Sequence, residues 1–246
     1  MKLFVFLFAF ISITITDAKA DRAEGLASRM QEADGKTFAV MGPNCFATAM
    51  KVSGVTSSYR GMDAKEFAVI QKNFCHKIDQ PQPGDIGVFE TPGFGFIHAY
   101  VFVSSDTGMQ KPGVDYNGKT PISFQSLESI NYTYLASPEC RRYSKDISEC
   151  MNAHYYVRCE NYVRHLRKIN PVLEDQVQAI EKSMDLLLEG DNWGPSQVRL
   201  SQQVQEQVLQ LRGLMPTEEN SSWQKFVRAR QVSLEKQAQF FMLKSQ

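Results

Sequence analysis

The balance of residue types changes near residue 140, and this change constrains the fold more than any other feature of the sequence. Before that point, Gly and Pro divide the chain into short segments, which is typical of strands and short helices joined by turns. After it, Gly is scarce and Gln, Glu, Leu and Val dominate, which favours helices. We therefore predict an α+β domain over residues 21–140, followed by an all-α helical region over residues 141–246.

Two helices are expected ahead of the strands of the first region. The first runs from Cys45 to Val52, with Gly54 near its end. The second runs from Ala64 to Phe74, where Asp63 suits the N-cap and Glu66 stands at the reciprocal position of a capping box. The helices are thus predicted to pack on a sheet formed by the following residues.

The expected strands are separated by residues that break regular structure. Pro81, Pro83 and Gly84 precede the first of them, and a turn is expected from Ser104 to Gly108. Helices first and a meander of strands afterwards give an α+β layout with an antiparallel sheet. The predicted strands are Asp85–Phe89, Phe94–Val103, Met109–Lys111 and Tyr132–Ala136.

The second region carries long segments with helical patterning. One interpretation is an antiparallel bundle that supports the first region. The other is a cap or a module that binds a protein partner. The segments predicted to be helical are Lys145–Ile169, Pro171–Glu189, Ser196–Leu214 and Trp223–Leu243.

The first twenty residues have the pattern of a secretory signal peptide. Lys2 is followed by an apolar run from Leu3 to Ile15, and Ala18-Lys19-Ala20 offers small residues for cleavage after Ala20. The run is shorter than the roughly 20 residues that span a bilayer, and no later segment is apolar for long enough. We expect a signal peptide over residues 1–20 and a secreted or periplasmic protein without an integral membrane segment after cleavage.

Charge and motifs exclude several classes of function. Acidic and basic residues balance at 27 each, so the chain lacks the basic excess of a nucleic-acid or anionic-lipid binder. The sequence has no HExxH or CxxC motif and no glycine-rich phosphate loop. We therefore expect no metal, no nucleotide and no other cofactor.

The chain has five cysteines, which is an odd number for an exported protein. Cys140, Cys150 and Cys159 are close in sequence, so at least one disulfide is expected among them. Cys75 is a candidate partner for the remaining member of that group, which would leave Cys45 free. A Cys45–Cys75 disulfide is the alternative that sequence alone leaves open.

Cys45 and His98 are the candidate catalytic residues. A helix N-terminus lowers the pKa of a thiol and offers N–H groups to an oxyanion, and Cys45 lies where a helix begins. His98 interrupts an apolar strand, after Gly93 and Gly95, where a polar ring needs a partner. The other histidines lack this context and are His76, His154 and His165.

The order of these parts resembles the NlpC and CHAP types of papain-like cysteine hydrolase. It comprises a cysteine at a helix N-terminus, the segment Gln82–Ile86 (QPGDI) that opens a strand, and a histidine on the next strand. The resemblance covers roughly residues 40–136 and implies a papain-like fold for the first region. It implies an enzyme that cleaves amide bonds, and peptidoglycan peptides are the substrate that the family suggests.

The resemblance also assigns roles to individual residues. Cys45 becomes the nucleophile, His98 the general base, and Gln110 the polar residue that orients the imidazole, with Asp115 in reserve. Asn44 is expected to support the oxyanion site. Two alternatives remain: a non-catalytic secreted module that binds a partner through its helical C-terminal half, and an acyl-transfer or deamidating enzyme that uses the same pair.

Overall fold

The computed structural model describes residues 25–38, 42–112, 120–190, 193–214 and 221–245. The expected signal peptide and the reserve candidate Asp115 lie outside these ranges. The described residues form a mixed α+β structure with one six-stranded antiparallel sheet. This confirms the predicted fold class at that level.

Two helices of the first region follow polar side chains that cap them, and the sequence analysis predicted one of these caps, Asp63. The side-chain oxygen of Asn44 accepts a hydrogen bond from the Ala47 N–H at 3.0 Å. Asp63 accepts one from the Glu66 N–H at 2.8 Å. Each cap satisfies a backbone N–H that would otherwise have no partner in the first turn. The helices are α1 (residues 25–33), α2 (Cys45–Val52) and α3 (Ala64–Phe74), so both predicted helices are confirmed.

The capping box predicted for Glu66 is wrong. Its carboxylate is buried and binds the guanidinium of Arg60. The backbone N–H of Asp63, which that carboxylate was expected to reach, donates instead to the Ser233 hydroxyl at 3.0 Å. A buried guanidinium requires a carboxylate partner, and this need outweighs a local cap.

The sheet has the strand order β1-β6-β2-β3-β4-β5, with every neighbouring pair antiparallel. Strands β2 to β5 form a meander, as the turn residues predicted. Three predicted strands correspond to β2, β3 and β4, with ends shifted by one or two residues. The strands are β1 (Cys75–Ile78), β2 (Ile86–Thr91), β3 (Gly95–Phe102), β4 (Thr107–Gln110), β5 (Ser123–Ser126) and β6 (Ala153–Cys159).

The strand predicted at Tyr132–Ala136 is wrong, because most of these residues belong to helix α4 (Leu127–Tyr134). The side chain of Ser126 caps this helix. Leu127 and Ile130, three positions apart on one helical face, are buried against the sheet. Packing against the sheet therefore decides the conformation of a segment whose aromatic residues suggested a strand.

The single helix predicted over Lys145–Ile169 is also wrong. The segment contains a 3₁₀ turn, strand β6 and helix α6 (Tyr162–Ile169), and the short helix α5 (Pro138–Tyr143) precedes it. β6 lies between β1 and β2, and its Tyr155, Tyr156 and Val157 are residue types that favour strands, so local preference and pairing on both sides agree. Residues 141–246 are consequently not all helical, and the sheet extends beyond residue 140.

The remaining helices share one hydrophobic core with the sheet and α2. α9 packs against α3 and α8, and α7 packs against α6 and α8. Phe226 of α9 meets Phe74 of α3 at a ring separation of 5.4 Å. The C-terminal helices therefore support the first region, as the bundle interpretation predicts. They are α7 (Pro171–Glu189), α8 (Pro195–Arg212) and α9 (Ser222–Lys244).

A buried network of charges joins the C-terminal helices to the first region. Arg60, which precedes α3, donates to Glu181 of α7 at 2.6 Å. Arg230 of α9 donates to the same carboxylate at 2.9 Å and to Glu174 at 2.7 Å. Glu66 completes the network through Arg60, and each of the five side chains is at most 3% exposed. Each charge is paired, which offsets the cost of removing it from water.

The cysteines pair as the sequence analysis favoured. Cys75 of β1 is bonded to Cys159 of β6, Cys140 is bonded to Cys150, and Cys45 is free. This excludes the Cys45–Cys75 alternative. Two disulfides accord with an oxidising compartment outside the cytoplasm. Within the described ranges, no helix combines the length and the apolar character needed to cross a bilayer.

Candidate active site

Cys45 is the first residue of α2 and packs against strand β3. Its side chain belongs to the hydrophobic core, with 6% of the residue exposed. The backbone amides of Ala99 on β3, of Phe46 and of Cys45 itself lie near the sulfur and favour its ionised form. The thiol thus lies between a helix N-terminus and the residue that follows His98.

The environment keeps the Cys45 thiol protonated. Burial raises its pKa to about 11, and the nearby backbone amides of Ala99, Phe46 and Cys45 act in the opposite direction without cancelling that effect. Desolvation penalises the thiolate because a charged sulfur loses its hydration in the core. In this closed conformation the thiol is not a nucleophile at neutral pH.

The His98 imidazole is fully buried and held by a chain of amide side chains. Its Nε2 is hydrogen-bonded to the side-chain oxygen of Gln110 at the end of β4. The Gln110 amide nitrogen then donates to the side-chain oxygen of Gln125 on β5 at 2.6 Å. Because an amide oxygen only accepts, this contact assigns the ring proton to Nε2 and leaves Nδ1 as an acceptor.

The other faces of the imidazole are enclosed by aromatic rings. Tyr134 of α4 stacks on His98 with ring centroids 3.6 Å apart and planes within 3°. Phe89 of β2 lies 6.3 Å from the imidazole centroid. Burial lowers the His98 pKa to about 4, although the Gln110 hydrogen bond raises it. The ring is therefore neutral, and its buried Nδ1 has no hydrogen-bond partner among the described residues.

Cys45 and His98 lie on opposite faces of the sheet, because the thiol packs with Ala99 and Val101 under α2 whereas the imidazole packs with Phe89 and Tyr134 on the α4 side. The thiol contacts Ala99, the next residue after His98. Since Nδ1 of His98 has no partner within the described ranges, no hydrogen bond links it to the sulfur. The structure brings His98 and Gln110 together, and it leaves the neutral thiol of Cys45 on the other face of the sheet.

Asn44 supports the helix N-terminus rather than facing an oxyanion. Its side-chain oxygen caps α2 at Ala47, and its side-chain NH2 donates to the backbone oxygen of Met62. Both ends of the amide are therefore engaged in this conformation. N–H groups of the first turn, at Cys45 and Phe46, are the ones that face the sulfur.

Sequence reasoning missed two residues that contact this group. Tyr134 was assigned to a strand, whereas the Ser126 cap is the local signal that a helix carries it. Gln125 reaches Gln110 only because β5 pairs with β4, and no short motif marks that pairing.

Two other histidines, His154 and His76, lie on β6 and β1. His154 of β6 stacks on Phe89 at 4.5 Å, and its Nε2 is 3.0 Å from the Tyr100 hydroxyl. It belongs to the sheet and not to the helical half, where the sequence analysis placed it. His76 is exposed on β1. In the part of the chain that the structure describes, no three His, Cys, Asp or Glu side chains cluster in a way that suits a metal ion.

No protein-family model matches this chain, and neither a curated protein nor a solved structure does. The case for a function therefore depends on the residues and their geometry.

Proposed function

We propose that the protein is a secreted cysteine hydrolase of papain-like arrangement that cleaves amide bonds, with Cys45 as nucleophile and His98 as base. One observation carries the proposal. The buried His98 ring is fixed by Gln110 at Nε2 and keeps an unpartnered acceptor, Nδ1, on the strand whose other face packs against the free thiol of Cys45. An unpaired buried nitrogen costs on the order of 1–3 kcal/mol, and a catalytic acceptor accounts for its retention.

The chemistry follows from the two groups. Nδ1 of His98 takes the proton of the Cys45 thiol, and the sulfur attacks the carbonyl carbon of the amide. The N–H groups at the start of α2 stabilise the oxyanion. The imidazolium then protonates the leaving amine, which yields an acyl-enzyme. Water, deprotonated by the same imidazole, attacks the thioester, releases the acid and restores the thiol.

The proposal requires a change from the closed conformation. The thiol and the imidazole are both neutral here, with pKa values of about 11 and about 4. Contact between sulfur and Nδ1 would form a thiolate–imidazolium pair, in which each charge lowers the cost of the other. Because the two side chains lie on opposite faces of the sheet, this change must bring the imidazole to the face that α2 covers, and we assign it to substrate binding.

Peptidoglycan peptides are the proposed substrate class. The two disulfides accord with export, and the family that the sequence resembles supplies many enzymes that cut cell-wall peptides. Gln110 acts through His98 and is a positioning residue, as is Asn44 through the cap of α2.

The test is digestion of purified peptidoglycan by the wild type and by Cys45→Ala, with mass analysis of the fragments. His98→Ala is the second inactive variant, and His76→Ala, on an exposed edge strand, is the matched control. We expect new termini with the wild type and with His76→Ala only. Inert results for all four proteins would remove support for the hydrolase.

A non-catalytic module that binds a protein partner is the second candidate, and a groove between α3 and α9 favours it. The groove has a volume of about 510 Å³. Its rim carries the exposed cations Lys65, Lys225 and Arg228, and its floor is formed by small apolar residues such as Ala68 and Ala229. This surface suits an acidic segment of a partner. The protonated state of Cys45 is also what a structural thiol requires.

A further inference from the structure

Two buried side chains of α9 hold the connection between α2 and α3. This connection, residues 53–63, leads from the helix that carries Cys45 to the start of α3. The N–H of Gly61 donates to the side-chain oxygen of Gln237, and the N–H of Asp63 donates to the Ser233 hydroxyl at 3.0 Å. Both acceptors are nearly excluded from solvent, at 6% and 4% exposure.

Met62 is the residue between Gly61 and Asp63, and its backbone oxygen accepts a hydrogen bond from the side-chain NH2 of Asn44. The oxygen of the same Asn44 amide accepts the N–H of Ala47 at 3.0 Å and so caps α2. An unbroken set of hydrogen bonds therefore leads from α9, through the α2–α3 connection, to the turn that begins with Cys45.

We infer that Gln237 and Ser233 are positioning residues for the Cys45 thiol, and that α9 serves the site by fixing the N-terminus of α2. The inference deepens the proposed function and rests on it for the catalytic role of Cys45. The position of the thiol is a separate physical property, which can be measured without hydrolysis.

The thiol is sensitive to small displacements of this turn. Its pKa reflects burial and the nearby backbone amides, two of which belong to the first residues of α2 and one to Ala99 of β3. A shift of the Asn44 cap would change both the burial of the thiol and its distances to these amides. Misplacement of a reacting group by about 1 Å can cost on the order of a hundredfold in rate.

The experiment compares Gln237→Leu with two matched variants of α9. Gln237→Glu keeps an acceptor for the Gly61 N–H and is the rescue. Gln231→Leu is the control, because Gln231 is equally buried on α9 but bonds to Arg228 and Glu235 instead of the connection. Near-UV circular dichroism and urea unfolding establish that each variant is folded.

The first readout is the rate at which iodoacetamide alkylates Cys45 from about pH 7 to about pH 11. Loss of the Gln237 acceptor loosens the cap and admits water to the thiol, so its pKa falls. We expect alkylation of Gln237→Leu about tenfold faster near pH 8, with its midpoint at lower pH. Gln237→Glu and Gln231→Leu should follow the wild-type profile.

Ser233→Ala removes the second acceptor and should shift the profile in the same direction as Gln237→Leu. In the hydrolysis assay, both variants should lower kcat about tenfold while KM changes little. Coincident alkylation profiles for Gln237→Leu, Ser233→Ala and Gln231→Leu would overturn the inference. If the wild type hydrolyses nothing, the proposed function fails, and the alkylation profiles still decide whether α9 positions the thiol.

Discussion

The Nε2 atom of His98 is hydrogen-bonded to the side-chain oxygen of Gln110 on the neighbouring strand. This contact raises the imidazole pKa, while burial lowers it to about 4. Gln110→Leu should therefore lower the His98 pKa further, because the protonated ring loses an acceptor. The midpoint is measured from the imidazole resonances in an NMR titration.

The same substitution tests the positioning role in catalysis. Without the Gln110 oxygen, the proton can reside on Nδ1, which then cannot accept the thiol proton. We expect kcat on peptidoglycan to fall about 10- to 100-fold with little change in KM. Gln125 contacts Gln110 and not the imidazole. Gln125→Leu is therefore the control, and its kcat should fall less than that of Gln110→Leu.

The burial of Cys45 makes its alkylation slow in the wild type. With a pKa of about 11, only about one thiol in a thousand is ionised near pH 8. The rate of reaction with iodoacetamide should rise about tenfold per pH unit up to the pKa. A single modified cysteine is expected by mass spectrometry, and none in Cys45→Ala. A fast reaction that levels off below pH 8 would contradict the closed, neutral site.

Local signals were enough to predict α2 and α3, because Gly54 follows the end of the first and Asp63 caps the start of the second. The same reasoning failed for β6, whose conformation depends on pairing with strands that are distant in sequence. Residues 153–159 include Tyr155, Tyr156 and Val157, which favour a strand, but the segment was predicted as part of one long helix; β1 and β2 both pair with it. A partner more than sixty residues away in sequence is invisible to local periodicity.

The candidate site shows the same division. Helix start and strand context predict Cys45 and His98, the resemblance to papain-like hydrolases implies Gln110, and the structure brings the last two into contact. Tyr134 and Gln125 were missed, because a stacking ring and a relayed amide depend on how α4 and β5 pack. The protonation state of the Cys45 thiol could not be predicted from the sequence either, since desolvation depends on how the core packs around it.

The two disulfides should contribute unequally to stability. Cys75–Cys159 spans 84 residues of sequence, whereas Cys140–Cys150 spans 10. In the chain-entropy account, a longer loop restricts the unfolded state more. Replacing Cys75 and Cys159 together by Ala should cost about 4–5 kcal/mol in urea unfolding, and replacing Cys140 and Cys150 together about 2.5–3 kcal/mol. Equal losses would contradict this order.

Glu181 lies at the centre of the buried charge network, and its removal should be costly. Glu181→Gln leaves Arg60 and Arg230 short of a carboxylate, with an expected loss of about 3–5 kcal/mol in the free energy of unfolding. Asp175→Asn breaks the exposed pair with Arg167 and is the control, with at most about 0.5 kcal/mol.

The network also sets a pH dependence. Burial opposes ionisation of Glu181, but the Arg230 and Arg60 guanidinium groups prevail and hold its pKa at about 2. A carboxyl whose pKa is depressed on folding stabilises the protein above its unfolded pKa, near 4.5. That contribution is lost as the pH falls from about 4.5 toward 2. Across this pH range, the free energy of unfolding should fall more steeply with decreasing pH for the wild type than for Glu181→Gln.

Asp185 of α7 should have the opposite pH dependence. It accepts the Ser58 hydroxyl at 2.8 Å and the Tyr59 N–H at 2.9 Å, yet burial raises its pKa to about 6. The nearby Glu181 carboxylate raises it further, and Lys51 lowers it. A carboxyl whose pKa is raised on folding stabilises the protein below its unfolded value, and this contribution is lost as the pH rises through about 6.

Asp185→Asn keeps a side-chain oxygen for both donors and removes the charge. It should therefore raise the free energy of unfolding by about 1–2 kcal/mol at neutral pH and change little near pH 4. Asp185→Ala, which also removes the acceptor, should lower stability at both pH values. Urea unfolding at the two pH values distinguishes them, and a gain for Asp185→Asn that is equal at both would contradict the assignment. Because the α2–α3 connection stays anchored in Asp185→Asn, the alkylation rate of Cys45 should remain that of the wild type.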